Sequence, residues 1–198
     1  HLPQHSCLAL RPGTDHPVRF RKSGHVMLAC TCPSVNPALE AWFADLSFVL
    51  RRAVVILIDY GYPRHEYFHP SRSRGTLKCH FQHRVHDDPF LYPGEQDITA
   101  AVDFTLVAEL AVDAGLRVAG FTTQTRFLLA CGVEQFVEEN GERDAVSQFK
   151  LAQEAKRLLL PSAMGQTCKA MALTADYSEN LIGFAADERH RLSGFAES

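Results

Sequence analysis

The sequence lacks several features that would place it in a simple functional class. It has no apolar run long enough to cross a bilayer, no CxxC pair and no excess of basic residues, since the net charge is -3. This mild acidity gives no electrostatic reason to expect nucleic acid or an anionic membrane as a partner. The first residues show no charged start followed by an apolar stretch, so we expect no signal peptide.

The six cysteines are scattered over 198 residues, and a chain of this length can bury a core without disulfides. We therefore expect reduced thiols and an intracellular protein. With 46% hydrophobic residues, the composition predicts one globular domain or a large part of one. The sequence starts without methionine, which favours a fragment or a processed chain.

An apolar, β-branched run at residues 54–59 is typical of a central strand buried on both faces in a parallel α/β sheet. Gly61 and Pro63 are expected to end this strand. Ligands of such sheets bind just beyond the carboxyl ends of the strands. Asp59 and Tyr60, at the predicted end, are therefore the first candidates for chemistry.

Residues 62–97 follow with histidines, acids, arginines and aromatics but almost no hydrophobic periodicity. Long irregular segments within compact domains are usually functional or disordered, and this one has too many aromatics for disorder. We interpret it as a long loop on the substrate side, with a short extended piece at residues 76–81. An exposed apolar strand promotes aggregation. The other predicted strands are too few to cover the strand at 54–59, so we expect this chain to be part of a larger doubly wound domain.

Local patterns predict the other elements. They are a short strand at 25–30, a helix from Pro37 capped by Asn36 with Arg51 and Arg52 in its last turn, a helix capped by Asp97 or Thr99 and ended by Gly115, a strand at 116–121, a helix at 123–131 ended by Gly132, a helix at 148–160 stopped by Pro161 and a strand at 169–174.

Four motifs in order, IDYGYPRHEYFHP, GTLKCHFQHRVHDDPF, PGEQDITAAVDF and GFTTQTRFLLACG, resemble the MidA family of S-adenosylmethionine-dependent methyltransferases. Those bacterial proteins are relatives of the mitochondrial complex I assembly factor that methylates an arginine. The resemblance implies the C-terminal part of a class I, Rossmann-like fold, a mostly parallel sheet with an antiparallel last strand. Residues 54–59 would be its fifth strand, 116–121 its sixth and 169–174 the inserted last one.

The resemblance also implies that the 198 residues form one partial domain. The glycine-rich turn and the acidic residue that hold the cofactor are not in this sequence, so we expect the cofactor-binding residues in a preceding half. The chain would begin just after the fourth strand and be inactive alone. Family members usually carry a histidine where this chain has Ala101, which puts one substrate contact in question.

Asp59 is predicted to orient a substrate guanidinium and withdraw its proton as the methyl group moves, with Tyr60 beside it as the second catalytic residue. Gly61 and Tyr62 would contact substrate, with cation–π stacking for the tyrosines. The further predicted substrate-binding residues are His80, His83, Gln96, Asp97, Thr99 and Gln124. Asp97 and Thr99 have helix capping as an equal alternative.

A metal site is the competing interpretation of the histidine-rich stretch, but its His-x-x-His-x-x-His spacing fits neither a helix face nor alternate strand positions. We predict no metal. The expected activity is methylation of a protein arginine, with a complex I subunit as one candidate partner and a homodimer left open. The expected location is the bacterial cytoplasm, or the mitochondrial matrix in a eukaryote. The alternatives are a non-catalytic assembly factor that grips a partner through residues 62–97 and a metal-dependent hydrolase.

Overall fold

The computed structural model describes residues 9–10, 17–18, 37–73, 75–140, 145–161 and 164–192. Strands β1 (Ala9–Leu10) and β2 (Pro17–Val18) form a short antiparallel pair. The strand predicted at residues 25–30 and the predicted cap Asn36 lie outside the described residues.

Helix α1 (Pro37–Val49) begins at the predicted proline, whose fixed φ and missing N–H suit the first helical position. The helix ends at Val49, and Arg51 and Arg52 lie beyond it. The prediction that they occupy its last turn was therefore wrong. One face of α1 joins the main core through Leu39, Trp42, Phe43 and Leu46.

The remaining elements follow in chain order. They are β3 (Ala53–Tyr62), α2 (Arg64–Tyr67), β4 (Lys78–Phe81), β5 (Arg84–His86), β6 (Asp97–Thr99), β7 (Val102–Asp103), α3 (Phe104–Asp113), β8 (Arg117–Thr123), α4 (Gln124–Ala130), α5 (Val133–Asn140), α6 (Ala145–Leu159) and β9 (Cys168–Ala175), with 3-10 helices at Pro70–Arg72, Ile182–Phe184 and Arg189–Arg191.

The main sheet has the strand order β7-β3-β9-β8. Strand β3 pairs in parallel with β7, whereas β9 runs antiparallel to both β3 and β8. The last strand is therefore inserted between two strands that run parallel to each other. This confirms the predicted α/β class, with an antiparallel last strand in a sheet of parallel strands.

The two faces of β9 contribute to different apolar clusters because side chains alternate along a strand. Met171 and Leu173 belong to the main cluster with α1 and α3, whereas Ala170 and Ala172 pack with Phe184. These four residues are fully buried. Strand β9 is thus the buried centre of the described sheet.

Strand β3 is less buried than its sequence predicts. Ile56, Ile58 and Tyr60 are 40%, 46% and 48% exposed. They alternate along one face, and no described element covers that part of the sheet. Among the described residues, no strand pairs with residues 53–60 on the side away from β9. The prediction of burial on both faces was therefore wrong for this strand.

The opposite edge of the sheet is covered. The backbone N–H of Phe121 donates to Asp187 Oδ1 at 3.0 Å, and its carbonyl oxygen accepts from the Glu188 N–H at 2.6 Å. Arg189 Nη1 donates to the carbonyl oxygen of Val118 at 3.1 Å. Residues 187–189 thus occupy the hydrogen-bonding groups of β8 that face away from β9, as an edge strand requires.

The segment predicted as an irregular loop contains a second sheet of strands β5-β4-β6, antiparallel throughout. Gln82 and His83, with φ of 45° and 64°, form the turn between β4 and β5. Two successive positive φ angles match the twist of a tight hairpin. Strand β4 lies within the extended piece predicted at residues 76–81, whereas β5 and β6 are too short and polar to show the apolar alternation from which strands are predicted.

The helix after this sheet is capped by a different residue from those predicted. Asp103 accepts the N–H groups of Thr105 and Leu106 at 3.0 Å and 3.2 Å. Asp97 and Thr99 belong to β6, because their backbone groups pair with β4 instead of starting a helix. Capping by Asp97 or Thr99 was therefore a wrong prediction.

Candidate functional site

The candidate site is built around the last four residues of β3. The strand continues to Tyr62, so Asp59 lies within it and not at its end. Asp59 is exposed, and its carboxylate accepts the backbone N–H of Tyr60 at 2.7 Å. The two side chains point to opposite faces of the sheet. They can meet one ligand only around the free edge of the strand.

Tyr60 faces Cys168, its cross-strand partner in β9. Burial raises the pKa of Tyr60, and the hydrogen-bonded Cys168 adds to the effect. Burial also raises the pKa of Cys168, with a further increase from Asp59. Both groups therefore keep their protons at neutral pH, which makes Tyr60 a hydrogen-bonding or stacking group and not a base.

Gly61 is buried beneath Phe104, the first residue of α3. A β carbon at this glycine would lie 2.5 Å from the carbonyl oxygen of Val102 and 2.6 Å from Cε2 of Phe104. Both distances are shorter than the contacts that β carbons make in proteins, so the packing around this position requires glycine. Its amide also donates to the carbonyl oxygen of Thr167 at 3.2 Å.

Tyr62, the last residue of β3, holds two cations of the chain near its ring. The guanidinium carbon of Arg72 is 4.0 Å from the ring centroid, and Lys169 Nζ is 5.7 Å from it. Both distances suit cation–π attraction. Tyr62 is thus already a cation-binding residue within this structure.

A partly buried ionic network lies near this tyrosine and was not predicted. Glu188 pairs with Arg126 and Arg191, and Arg191 also pairs with Glu66. Burial works to lower the pKa of Arg191, but hydrogen bonds to Glu66 and Glu188 outweigh it and raise that pKa. The network ties α2, α4 and the C-terminal 3-10 helix to one another.

Lys169 lies next to this network. Its place within an apolar strand is the feature of the sequence that could have predicted the network. The side chain is 3% exposed, and its ammonium donates to the carbonyl oxygen of Gln166. Burial lowers its pKa. Lysine is rarely buried without partners, so a lysine within an apolar strand could have indicated buried polar partners. Lys169 is also the cross-strand partner of Asp59.

The small sheet carries five of the predicted substrate-binding residues. His80 and His83 are exposed. Gln96 donates to the carbonyl oxygen of Pro89 at 2.7 Å, and its own side-chain oxygen is buried without a hydrogen-bond partner among the described residues. Asp97 and Thr99 lie on β6, which Ala100 and Ala101 alone separate from Val102, the strand partner of Gly61. The chain thus joins the end of this sheet directly to the end of β3.

Gln124 lies elsewhere. It is 5% exposed, and its side-chain nitrogen donates to the carbonyl oxygen of Leu158 at 2.9 Å. The residue joins α4 to α6. The structure does not bring Gln124 to the surface with the other predicted residues.

The histidine-rich stretch of residues 62–97 is the part of the chain for which a metal site was considered. Within the described ranges, no three histidine, cysteine or acidic side chains are placed to hold an ion. Asp87 pairs with Lys78 at 2.6 Å, and His86 packs edge-on against Tyr92. Burial raises the pKa of Cys79.

A surface depression of about 300 Å³ is lined by Gly115, Arg117, Thr174 and residues 176–178. It lies at the ends of β8 and β9 opposite to Thr123 and Lys169 and contains none of the predicted residues. We do not connect it with the candidate site. None of the described helices is both long and apolar enough to span a membrane.

The sheet order, with an antiparallel last strand between two parallel ones and acidic and aromatic residues at the strand ends, defines a class I methyltransferase-type fold. Residues 29–122 match the model of a family described as "Putative S-adenosyl-L-methionine-dependent methyltransferase".

Solved structures agree with this class. A COG1565 superfamily member from Burkholderia thailandensis, bound to S-adenosyl-homocysteine, is similar with a TM-score of 0.74 and 39% identity over 79% of this chain and 41% of that chain. A native structure of a COG1565 superfamily protein from the same organism gives the same TM-score and identity and is covered to 42%.

Among curated proteins, the mitochondrial protein arginine methyltransferase NDUFAF7 homolog of Drosophila melanogaster is 28% identical over 122 residues, which are 61% of this chain and 26% of the relative. The comparisons confirm the resemblance and the fold inferred from the motifs. The chain spans about a quarter of this curated relative and about two fifths of the solved structures.

Proposed function

We propose that this chain forms the substrate side of an S-adenosylmethionine-dependent methyltransferase that modifies a protein arginine. The sheet order β7-β3-β9-β8 carries the proposal, because it matches the class of fold shared with a protein bound to S-adenosyl-homocysteine. Support for an arginine substrate comes from the fly relative, whose name states that activity. The hydrolase alternative has no comparable support.

The chain fits the cofactor as one half of a site. Residues 53–60 of β3 leave their hydrogen-bonding edge open among the described residues, and Tyr60 beside that edge is 48% exposed. Aromatic faces attract cationic groups such as a sulfonium. When bound, the cofactor supplies a methyl group on positively charged sulfur. The residues that hold its amino acid and ribose are expected outside this sequence.

The chain's own contribution is to bind and orient the guanidinium. An exposed carboxylate such as that of Asp59 can accept two parallel hydrogen bonds from it. The nitrogen that gains the methyl group must lose a proton, and we assign Asp59 to accept it. Tyr60, which keeps its own proton, contributes a ring and a hydroxyl. Positioning of the two reacting groups supplies much of the rate.

The remaining proposed contacts lie on the small sheet. His80, His83, Asp97 and Thr99 are exposed there, and we assign them to the protein substrate around the target arginine. Tyr62 points to the same face of β3 as Tyr60, and we assign it to a substrate guanidinium on that face. Gly61 contributes its close backbone packing, and Gln124 acts at the α4–α6 junction. A respiratory complex I subunit, as the resemblance suggests, remains one candidate substrate, and a homodimer remains open.

Calorimetric titration of S-adenosylmethionine into the full-length natural protein that contains this sequence tests the proposal directly. Binding is expected there, and the complete absence of binding heat would contradict the proposal. The 198-residue chain alone should bind the cofactor weakly or not at all. Tight binding by this chain would refute the division of the site into two halves.

The non-catalytic assembly factor is separated from the enzyme by Asp59→Asn in that full-length protein. An enzyme should lose about 10²- to 10⁴-fold in turnover while its fold stays intact, because a neutral amide cannot accept the proton. Asp113→Asn, at an exposed residue of α3, is the matched control. A partner-binding factor should keep its biological effect in both variants.

A further inference from the structure

The ring of Tyr62 already carries a guanidinium group, and that group comes from the chain itself. The Arg72 guanidinium carbon lies 4.0 Å from the ring centroid. A planar guanidinium over an aromatic face combines cation–π attraction with stacking. The structure therefore displays an arginine-binding surface with an arginine on it.

Arg72 is held differently from other arginines of this region. Three of these each pair with a carboxylate: Arg64, Arg126 and Arg191. Arg72 has the Tyr62 ring and the backbone carbonyl oxygen of Glu66, which accepts a hydrogen bond from Nη1. No carboxylate among the described residues pairs with it. Hydrogen bonds between two charged groups are the stronger ones, so of these four guanidinium groups that of Arg72 is the one that another can replace most readily.

The position of Arg72 suits such an exchange. It ends the 3-10 helix Pro70–Arg72, a short element of the 62–97 segment that is only partly buried. The His69 ring accepts the Ser71 N–H at 3.3 Å at the start of this helix. The helix can thus keep its local structure when the Arg72 side chain swings away. Tyr62, beneath it, ends the strand that carries Asp59.

We infer that the Tyr62 ring is the guanidinium-binding surface of the substrate site and that Arg72 occupies it as an internal pseudosubstrate, which an incoming arginine displaces. The inference rests on the proposed arginine substrate and adds a regulatory device to it. Substrate binds more weakly than it would to an empty ring, and release of Arg72 opens the site.

The test measures binding and not methylation. N-acetyl-L-arginine methylamide is titrated into the 198-residue chain with ¹³C-labelled tyrosine rings, of which there are five. Arg72→Ala should tighten binding about three- to sixfold. A partly exposed cation–π contact leaves the ring free of Arg72 in only a fraction of the molecules, and the apparent affinity for the ligand is lowered by that fraction. The largest shift on titration should fall on the Tyr62 ring.

Matched variants separate this inference from a loss of charge. Arg84→Ala removes the same charge from exposed β5 and should leave binding unchanged. In the Arg72→Ala chain, Tyr62→Phe should keep the gain and Tyr62→Leu should abolish it. N-acetyl-L-lysine methylamide should bind more weakly, since its ammonium lacks a planar face.

Two outcomes overturn the inference. One is an Arg72→Ala chain that loses stability with no gain in binding, which would make the contact structural only. The other is a gain that survives Tyr62→Leu. A gain that depends on Tyr62, in a full-length protein that methylates no arginine, supports the binding surface and contradicts the proposed methylation alone.

Discussion

Phe104 fills the space that a side chain at Gly61 would need, since a β carbon on that glycine would lie 2.6 Å from the ring of Phe104 and 2.5 Å from the carbonyl oxygen of Val102. The contact fixes the end of β3 against the start of α3. Because Asp59 and Tyr62 lie on the same strand end, their positions depend on this packing as well.

Gly61→Ala should destabilise the chain by about 2–3 kcal/mol, because an added methyl group forces shifts in both the ring and the β7 backbone. Denaturant unfolding measures the change. Gly115→Ala is the control: its φ is +87° but nothing lies within 4 Å of its added β carbon, so only backbone strain of about 1–2 kcal/mol is expected. Equal losses in the two variants would contradict steric conflict at Gly61.

The cap of α3 gives a second prediction. Asp103→Ala should cost about 1–2 kcal/mol, because two backbone N–H groups lose their acceptor. Asp103→Asn should retain the part of the stability that comes from the cap, since an amide oxygen also caps, and should lose only the ion pair with Arg64. Asp97→Ala is the control, because β6 uses the backbone of that residue and not its side chain to pair with β4. A larger loss for Asp97→Ala would restore the cap predicted from the sequence.

Glu188 stabilises the ionic network near Tyr62. Its side chain is 10% exposed and pairs with both Arg126 and Arg191. Glu188→Ala should cost about 2–4 kcal/mol in unfolding free energy, because both arginines lose their shared buried carboxylate. Glu179→Ala is the matched control: its pair with Arg52 is 69% exposed on both sides, so less than about 1 kcal/mol is expected. Similar losses would show that burial of the network contributes nothing.

The local elements were predictable from the sequence, and the contacts between them were not. Strands β3 and β9 and helix α1 follow from apolar runs and spacing that a single segment contains. Arg191 and Glu66, by contrast, are 125 positions apart, and no local pattern joins them. Of the small sheet only β4 was predicted, within the extended piece at 76–81, because strands β5 and β6 are short and polar and are defined by backbone pairing rather than by burial. Asp59 was found because apolar residues precede it, but the continuation of β3 to Tyr62 depends on pairing with β7.

Lys169 predicts a pH dependence of stability. Burial lowers its pKa below the ordinary 10.5, so the unfolded chain binds the proton more tightly than the folded chain does. Stability from this residue therefore rises with pH from the lowered pKa up to about 10.5. The free energy of unfolding is measured for wild type and Lys169→Met at neutral and alkaline pH. As pH rises, the wild-type value should increase relative to that of the variant. A constant difference would mean that the folded-state pKa is ordinary.

The open edge of β3 gives the last prediction. Residues 187–189 cover the outer edge of β8, whereas residues 53–60 have no described strand on one side and expose Ile56 and Ile58. Unpaired, apolar edges join to one another, so the 198-residue chain alone should self-associate, as sedimentation velocity can measure. Ile58→Lys should weaken association about tenfold or more, because it puts a charge where an isoleucine would be buried. Val112→Lys, on α3 at 45% exposure, adds the same charge away from the edge and should have little effect. If both lysines weaken association equally, net charge and not the β3 edge controls it.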